Sequence, residues 1–254
     1  MLHGLDYGPE TAAESMQIAR DFVQSGYSTV VATPHMVPGT TWMPPIDGIK
    51  IKVADLNRTI EDEGLKLKIV SGMEIALDPQ VPDLLDDDRL LPLGRSSCLL
   101  IEPSFQQLPA GWEQVIFSIQ AKGYSILLAH VERCGQLATH PELIDKLRQS
   151  GVYMQVNWGS FLGQYGRTVA RTARFLAGKG HIHCLASDSH HTGAHTPAKM
   201  QAVTTKLSKM IGQENLQRIS VENPRRVLCG ETPQSMDMPG EKTVRKKKRW
   251  WRRW

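Results

Sequence analysis

Apolar residues recur along this chain in two alternating rhythms. Ala12, Met16, Ala19 and Val23 fall at helical spacing. Thr11 followed by Glu14 sets up a capping box in front of them, and Gly26 supplies a left-handed stop, so a helix is predicted over 11–25. A β-branched run, Thr29-Val30-Val31-Ala32, comes next and ends at Thr33-Pro34-His35. A proline- and glycine-rich loop spans 38–48, and a polar helix is predicted over 50–62. Further strand-like runs cover 68–74, 98–102, 125–130, 152–157 and 182–188, with helices predicted over 112–122, 141–149 and 167–177. Continuous apolar strands separated by helices point to an α/β fold with a parallel sheet covered on both faces.

The ionisable residues are not spread evenly over this pattern. Five strand-like runs end in His35, Glu74, Glu102, His130 and the pair Asp188 and His190. In a β/α barrel the active site forms at the C-terminal ends of the strands, where side chains from different strands converge. One such residue reads as a polar strand terminus; six at the same end of five strands read as metal ligands. Histidine nitrogen mixed with carboxylate oxygen, with no cysteine at the strand ends, suits Mn²⁺, Fe²⁺ or Zn²⁺ better than a closed structural zinc site. A bridging carboxylate holds two cations about 3.5–4 Å apart, the geometry that generates a hydroxide nucleophile and clamps a phosphoryl group. Arg133, three residues beyond His130, would offer a donor fork for phosphate oxygens on the same rim. Taken alone, it reads as a surface salt bridge, with Glu132 as the neighbouring acid.

Composition narrows the class. The chain has 254 residues, 41% hydrophobic and 22% charged, ordinary for a globular protein of one large domain or two small ones. No apolar run approaches the roughly 18 residues of a membrane span, and the N-terminus shows no signal-peptide pattern. Cys98, Cys134, Cys184 and Cys229 form no CxxC pair, which suits a reduced, cytoplasmic protein; Cys134 and Cys184 read as small core residues. The net charge of +4 misleads. Residues 242–254 (KTVRKKKRWWRRW) hold eight cations and no acid, leaving 22 cations against 26 acids in 1–241, a net of −4. The expected organisation is a catalytic domain over 1–230, then a linker and a basic, tryptophan-rich tail without fixed structure over 231–254. Lysine, arginine and tryptophan in that tail would suit an anionic membrane surface, placing the protein peripherally at the inner face. Nucleic acid is disfavoured, because no basic residues in the body extend the patch.

Seven segments carry a resemblance: LxGLDxGP (2–9), TPH (33–35), GMEI (72–75), LLIEPS (99–104), LLAHVER (127–133), ASDSHH (186–191) and VENPRRVL (221–228). In this order and spacing the chain resembles the manganese-dependent protein-tyrosine phosphatases of the CpsB/CapC type, within the polymerase-and-histidinol-phosphatase (PHP) superfamily. AHVER followed by SDxH and a final NPRR helix is the specific part. The resemblance implies a distorted seven-stranded β/α barrel of the TIM-like PHP type and a trinuclear metal centre, with Mn²⁺ foremost. It also implies hydrolysis of phosphotyrosine on the tail of a bacterial tyrosine kinase that controls capsule or exopolysaccharide assembly. Glu74 matches a carboxylate bridging the first and second metals, and Glu102 and His130 match ligands of the second. Asp188 matches a ligand of the first metal, His35 and His190 match ligands of the third, and Arg133 matches a phosphate-binding arginine.

Three departures qualify the match. The family's His-x-His strand lies just before the segment matching 2–9, so two ligands of the first metal have no counterpart and the first strand is expected to be missing. Six parallel strands would then leave a barrel open beside the 29–34 and 182–188 runs. The expectation is a true start upstream of Met1, with this shorter form binding fewer metals and being less stable and less active. Next, Tyr7 stands where the family has a second aspartate, with Asp6 the residue that would shift to serve the third metal. Finally, His195 aligns with a second phosphate-binding arginine and is a poorer anion fork. These departures keep two alternatives open: a catalytically impaired module that binds a phosphotyrosine tail, and a phosphatase of small phosphoesters such as histidinol phosphate. His140, His181, His183 and His191 read as structural or solvated, and His3, where the family usually has proline, has no evident role.

Overall fold

The computed structural model describes residues 1–194 and 196–238. Strands β1 (Thr29–Ala32), β2 (His35–Met36), β3 (Lys68–Ser71), β4 (Glu74–Ala76), β5 (Cys98–Glu102), β6 (Ser125–Leu128), β7 (Tyr153–Asn157) and β8 (Cys184–Ala186) all pair in parallel. β1 pairs with β3, and the other six form one ladder in the order β2-β4-β5-β6-β7-β8. β1 and β2 are one strand run interrupted at Pro34, which has no N–H to give, while its carbonyl accepts from Glu74 N at 3.1 Å. β3 and β4 are likewise split at Gly72. A Cβ there would lie 2.9 Å from Leu93 and 3.1 Å from Val31, so only glycine lets the two runs pass this closely. The six strand runs read from the sequence are thus present. Among the described residues no pairing joins β8 back to β1 or β2.

Alternation along the strands sends side chains to two buried faces. Ile75, Leu99, Ile101, Ile126, Leu128, Met154 and Val156 enter the main core with the helices. Leu100, Leu127, Ala129 and Cys184 point the other way into a second cluster with Leu93 and Val227. A cavity of about 480 Å³ opens on that second face, between residues 29–34 on one side and 184–190 on the other.

Helices link the strands: α1 (Ala12–Gln24), α2 (Ile46–Asp62), α3 (Val81–Asp86), α4 (Trp112–Ala121), α5 (Gly135–Thr139), α6 (Glu142–Gln149), α7 (Trp158–Phe161), α8 (Arg167–Gly178), α9 (Pro197–Ile211), α10 (Gln213–Gln217) and α11 (Asn223–Leu228). Thr11 caps α1 by accepting from Glu14 N at 3.2 Å, but Glu14 reaches back to Glu10 N rather than to Thr11. α2 starts one turn earlier than the polar pattern predicts, because Pro45 presets the backbone at its N-cap. Among the described residues no helix is long and apolar enough to cross a membrane. Cys98, Cys134 and Cys184 are buried free thiols, and Cys229 is exposed.

The segment expected to begin a linker lies against the helices. Buried Asn223 exchanges hydrogen bonds with both backbone groups of Gln234 at 2.7 and 2.8 Å. Asn215 does the same with Asp237 at 2.8 and 2.9 Å, and Met236 joins the core. Residues 242–254, the basic tail, lie outside the described residues.

His183 stitches β7 to β8, since its Nδ1 accepts from Met154 N at 3.0 Å. Burial, with help from Arg148 and His181, lowers its pKa from 6.5 to about 4. The unfolded chain therefore binds a proton near pH 6.5 that the folded chain refuses until about pH 4, so stability is lost as pH falls through this window. The loss should reach about 3 kcal/mol by pH 4. Urea unfolding at pH 7 and pH 4 checks it against His183→Gln, which keeps an acceptor but does not titrate. Equal losses in the two proteins would remove His183 as the cause.

Candidate metal centre

The register brings the strand ends together. His35 on β2 lies opposite Glu74 on β4, and Glu102 follows two residues beyond the partner of Glu74 on β5. One ligand atom from each of His35, Glu74 and Glu102 lies within 4.8 Å of the others. His130, just past β6, completes the group: its Nε2 is 2.8 Å from Glu74 Oε1 and 3.4 Å from Glu102 Oε1. His35, Glu74 and His130 are buried and Glu102 is half-buried. Parallel strands thus deliver two imidazoles and two carboxylates to one small space.

The second part of the site centres on Asp188, beyond β8. Its Oδ2 accepts from Arg133 at 2.7 Å and from Asn157 at 2.9 Å. His190 Nδ1 lies 3.1 Å from the Asp188 carbonyl, and its ring stacks on Tyr7 with centroids 4.8 Å apart. His130 (φ 28°) and Asp188 (φ 49°) both take left-handed backbone. Non-glycine residues seldom do so, and such conformations persist only where their surroundings over-determine them.

The short 3-10 turn Val131–Arg133 that follows His130 is anchored through Glu132. Glu132 Oε1 accepts from Ser160 Oγ at 2.6 Å and from Asn157 N at 2.9 Å. These bonds tie the turn to the end of β7 and fix both His130 and Arg133. Burial pushes the Glu132 carboxyl pKa up, against the pull of Ser160 and Asn157. The salt bridge with Glu132 that sequence reasoning offered for Arg133 is not what forms; Arg133 pairs with Asp188 instead. Its guanidinium also lies 4.3 Å from the Phe105 ring centre and 4.5 Å from that of Tyr165.

Asp6 does not enter the cluster. Its Oδ2 is 2.9 Å from His35 Nδ1 and accepts from His35 N at 3.2 Å, while Oδ1 accepts from Gly8 N at 2.9 Å. Burial raises this carboxyl, but the bonds from His35 and Gly8 outweigh it and bring the pKa to about 2. Asp6 therefore orients the His35 ring from behind, as carboxylates commonly do for ligating histidines. On the other side of that ring the Tyr7 hydroxyl lies 2.7 Å from Nε2. His195 lies outside the described residues.

Burial depresses the His35 and His130 rings, yet Asp6 for the first and Glu74 for both leave them above the usual histidine value. Burial and the neighbouring Glu74 also raise Glu102. Crowded, buried carboxylates draw positive charge into the site, and a divalent cation answers that demand. His130 Nδ1 is also buried with no hydrogen-bond partner. The donor set therefore fits a catalytic cation of the kind bound by mixed nitrogen and oxygen ligands.

The family model for capsular polysaccharide synthesis, CpsB/CapC, matches residues 1–229. This chain belongs to the CpsB/CapC family. The tyrosine-protein phosphatase YwqE of Bacillus subtilis is 30% identical over 232 residues, covering 91% of this chain and 90% of that protein. The tyrosine-protein phosphatase CpsB of Streptococcus pneumoniae is 25% identical over 238 residues, 89% of this chain and 95% of that protein. A solved structure from work on YwqE and CpsB, described as unique metal-dependent tyrosine phosphatases, superposes with a TM-score of 0.83. It shares 30% identity and covers 92% of this chain and 94% of that one. The parallel α/β architecture is thus that of the CpsB/CapC family.

Sequence reasoning missed Glu132, Asn157, Phe105 and Tyr165. Asn157 carried a usable signal, since it ends the 152–157 run as the other site residues end theirs. Glu132 carried none, because an acid beside an arginine reads as its partner.

Proposed function

We propose that this chain is a metal-dependent protein-tyrosine phosphatase acting on a tyrosine kinase of capsular or exopolysaccharide synthesis. The observation that carries the reading is the convergence of His35, Glu74, Glu102 and His130 beside Arg133 in a member of this family. These four residues, with Asp188 and His190 alongside, would hold the cations, Mn²⁺ foremost, at the open end of a β/α barrel. The bound cations supply Lewis acidity and lower the pKa of water. Arg133 turns its fork from Asp188 to the phosphoryl oxygens, and Asn157 keeps Asp188 in place as it does so. Asp6 and Glu132 hold the His35 and His130 rings in register. Phenolate leaves without strong acid help, so charge neutralisation dominates the barrier. His195 would serve as a second, poorer phosphate contact, and residues 242–254 would keep the enzyme at an anionic membrane near its kinase.

The experiment is a side-by-side measurement of kcat/KM on a phosphotyrosine peptide and on histidinol phosphate with added Mn²⁺. The peptide should be favoured at least about tenfold. The reverse order would move the reading to small phosphoesters, and binding without turnover would move it to a non-catalytic module.

A further inference from the structure

Large apolar side chains left in water need a reason when they crowd around one site. Among the described residues, the exposed aromatic rings Phe117 and Phe175 lie on the outer helices α4 and α8, but Tyr7, Trp42 and Phe105 lie at the metal cluster. They flank it on two sides. Strand order puts His35 on β2 and His130 beyond β6, with Glu74 and Glu102 on β4 and β5 between them. Trp42 lies 5.8 Å from the His35 ring and 5.1 Å from Tyr7. Phe105 lies 5.7 Å from the His130 ring on the opposite flank.

The backbone beneath both rings is anchored, although Trp42 is 39% and Phe105 49% exposed. Trp42 closes a tight turn in which its carbonyl accepts from Val37 N at 2.7 Å and its N–H donates to Thr40 Oγ1 at 3.1 Å. The Phe105 carbonyl accepts from Gly135 N at 2.8 Å, and that of Gln106 accepts from Gln136 N at 2.9 Å, pinning the loop to α5. The Arg133 guanidinium then packs on the Phe105 face. A phosphate drawn to Arg133 would therefore carry its ester group past Phe105, with Trp42 at the other end of the ligand row.

We infer that Trp42 and Phe105 form an aromatic rim that selects aryl over alkyl phosphates by packing against the ring that bears the phosphate. This rests on the phosphatase reading and adds the source of its preference for tyrosine. Trp42 beside His35 and Phe105 beside His130 stand at the two ends of the row of ligands that β2, β4, β5 and β6 present. Offset or edge-to-face packing on each side then favours an aromatic ligand over a methyl group. Phe105 also backs the Arg133 guanidinium, so the rim is read from the aryl-to-alkyl ratio and not from affinity alone.

The test is calorimetric binding of phenylphosphonate and methylphosphonate to the Mn²⁺-loaded protein, neither of which needs turnover. The wild type should bind the phenyl compound about tenfold more tightly, and Trp42→Leu and Phe105→Leu should each narrow that ratio about threefold. Loss of affinity for both compounds equally would mean that the rings only support Arg133 or the ligands, and would overturn the proposal. A wild-type ratio near one, or no binding of either compound, would overturn it as well. Failure of phosphotyrosine hydrolysis with an intact phenyl preference would instead count against the phosphatase reading and leave the rim standing.

Discussion

Glu74→Ala should lower the Mn²⁺-dependent hydrolysis of a phosphotyrosine peptide by about a thousandfold. Glu74 sits between the two histidines, in ladder register with His35 and 2.8 Å from His130. Its removal takes away the central negative group of the cluster, and transition-state stabilisation by a catalytic cation is worth several kcal/mol, with 1.36 kcal/mol for each tenfold. The same change relieves crowding with Glu102, whose carboxyl is raised by burial and by Glu74. Bound manganese per chain should therefore fall together with activity, while the melting temperature in chelator stays level or rises. A variant that keeps its metal and its rate would remove Glu74 from the centre. One that simply unfolds would make it a structural acid.

Arg133→Lys should cost about a hundredfold in kcat/KM with metal content unchanged, the scale seen when one preorganised donor is removed from a developing anion. Lysine keeps the charge but loses the planar fork and the stacking surface. Both are used here, because the guanidinium lies between Phe105 and Tyr165 while donating to Asp188. Steady-state kinetics on the peptide decides it. An unimpaired lysine variant would reduce Arg133 to the salt-bridge partner of Asp188.

The ionisable positions were legible in the sequence because each interrupts an apolar run. Glu102, His130 and Asp188 lie at or just past the ends of β5, β6 and β8, whereas His35 and Glu74, expected to end their runs, open the short strands β2 and β4. What each residue faces was not legible. Asp6 and His35 are 29 positions apart, and only the folded chain shows that the carboxylate serves the back of that ring. The left-handed backbone at His130 leaves no mark in a motif, and neither does the anchoring of the following turn by Glu132 to β7. Trp42 looked like part of a loop and Phe105 lies just past the 99–104 motif; that they stand beside His35 and His130 appears only in the folded chain. The first turn of α2 did carry a signal, since Ile46 and Ile49 extend the helical spacing of Val53, Leu56 and Ile60 back past residue 50.

The most direct measurement is phosphate release from a phosphotyrosine peptide by chelator-stripped protein as Mn²⁺ is titrated back. A metal-dependent centre requires hydrolysis at background without metal, rising to saturation as the cluster of His35, Glu74, Glu102 and His130 fills. Undiminished hydrolysis by the stripped protein, or none at any manganese concentration, would contradict it.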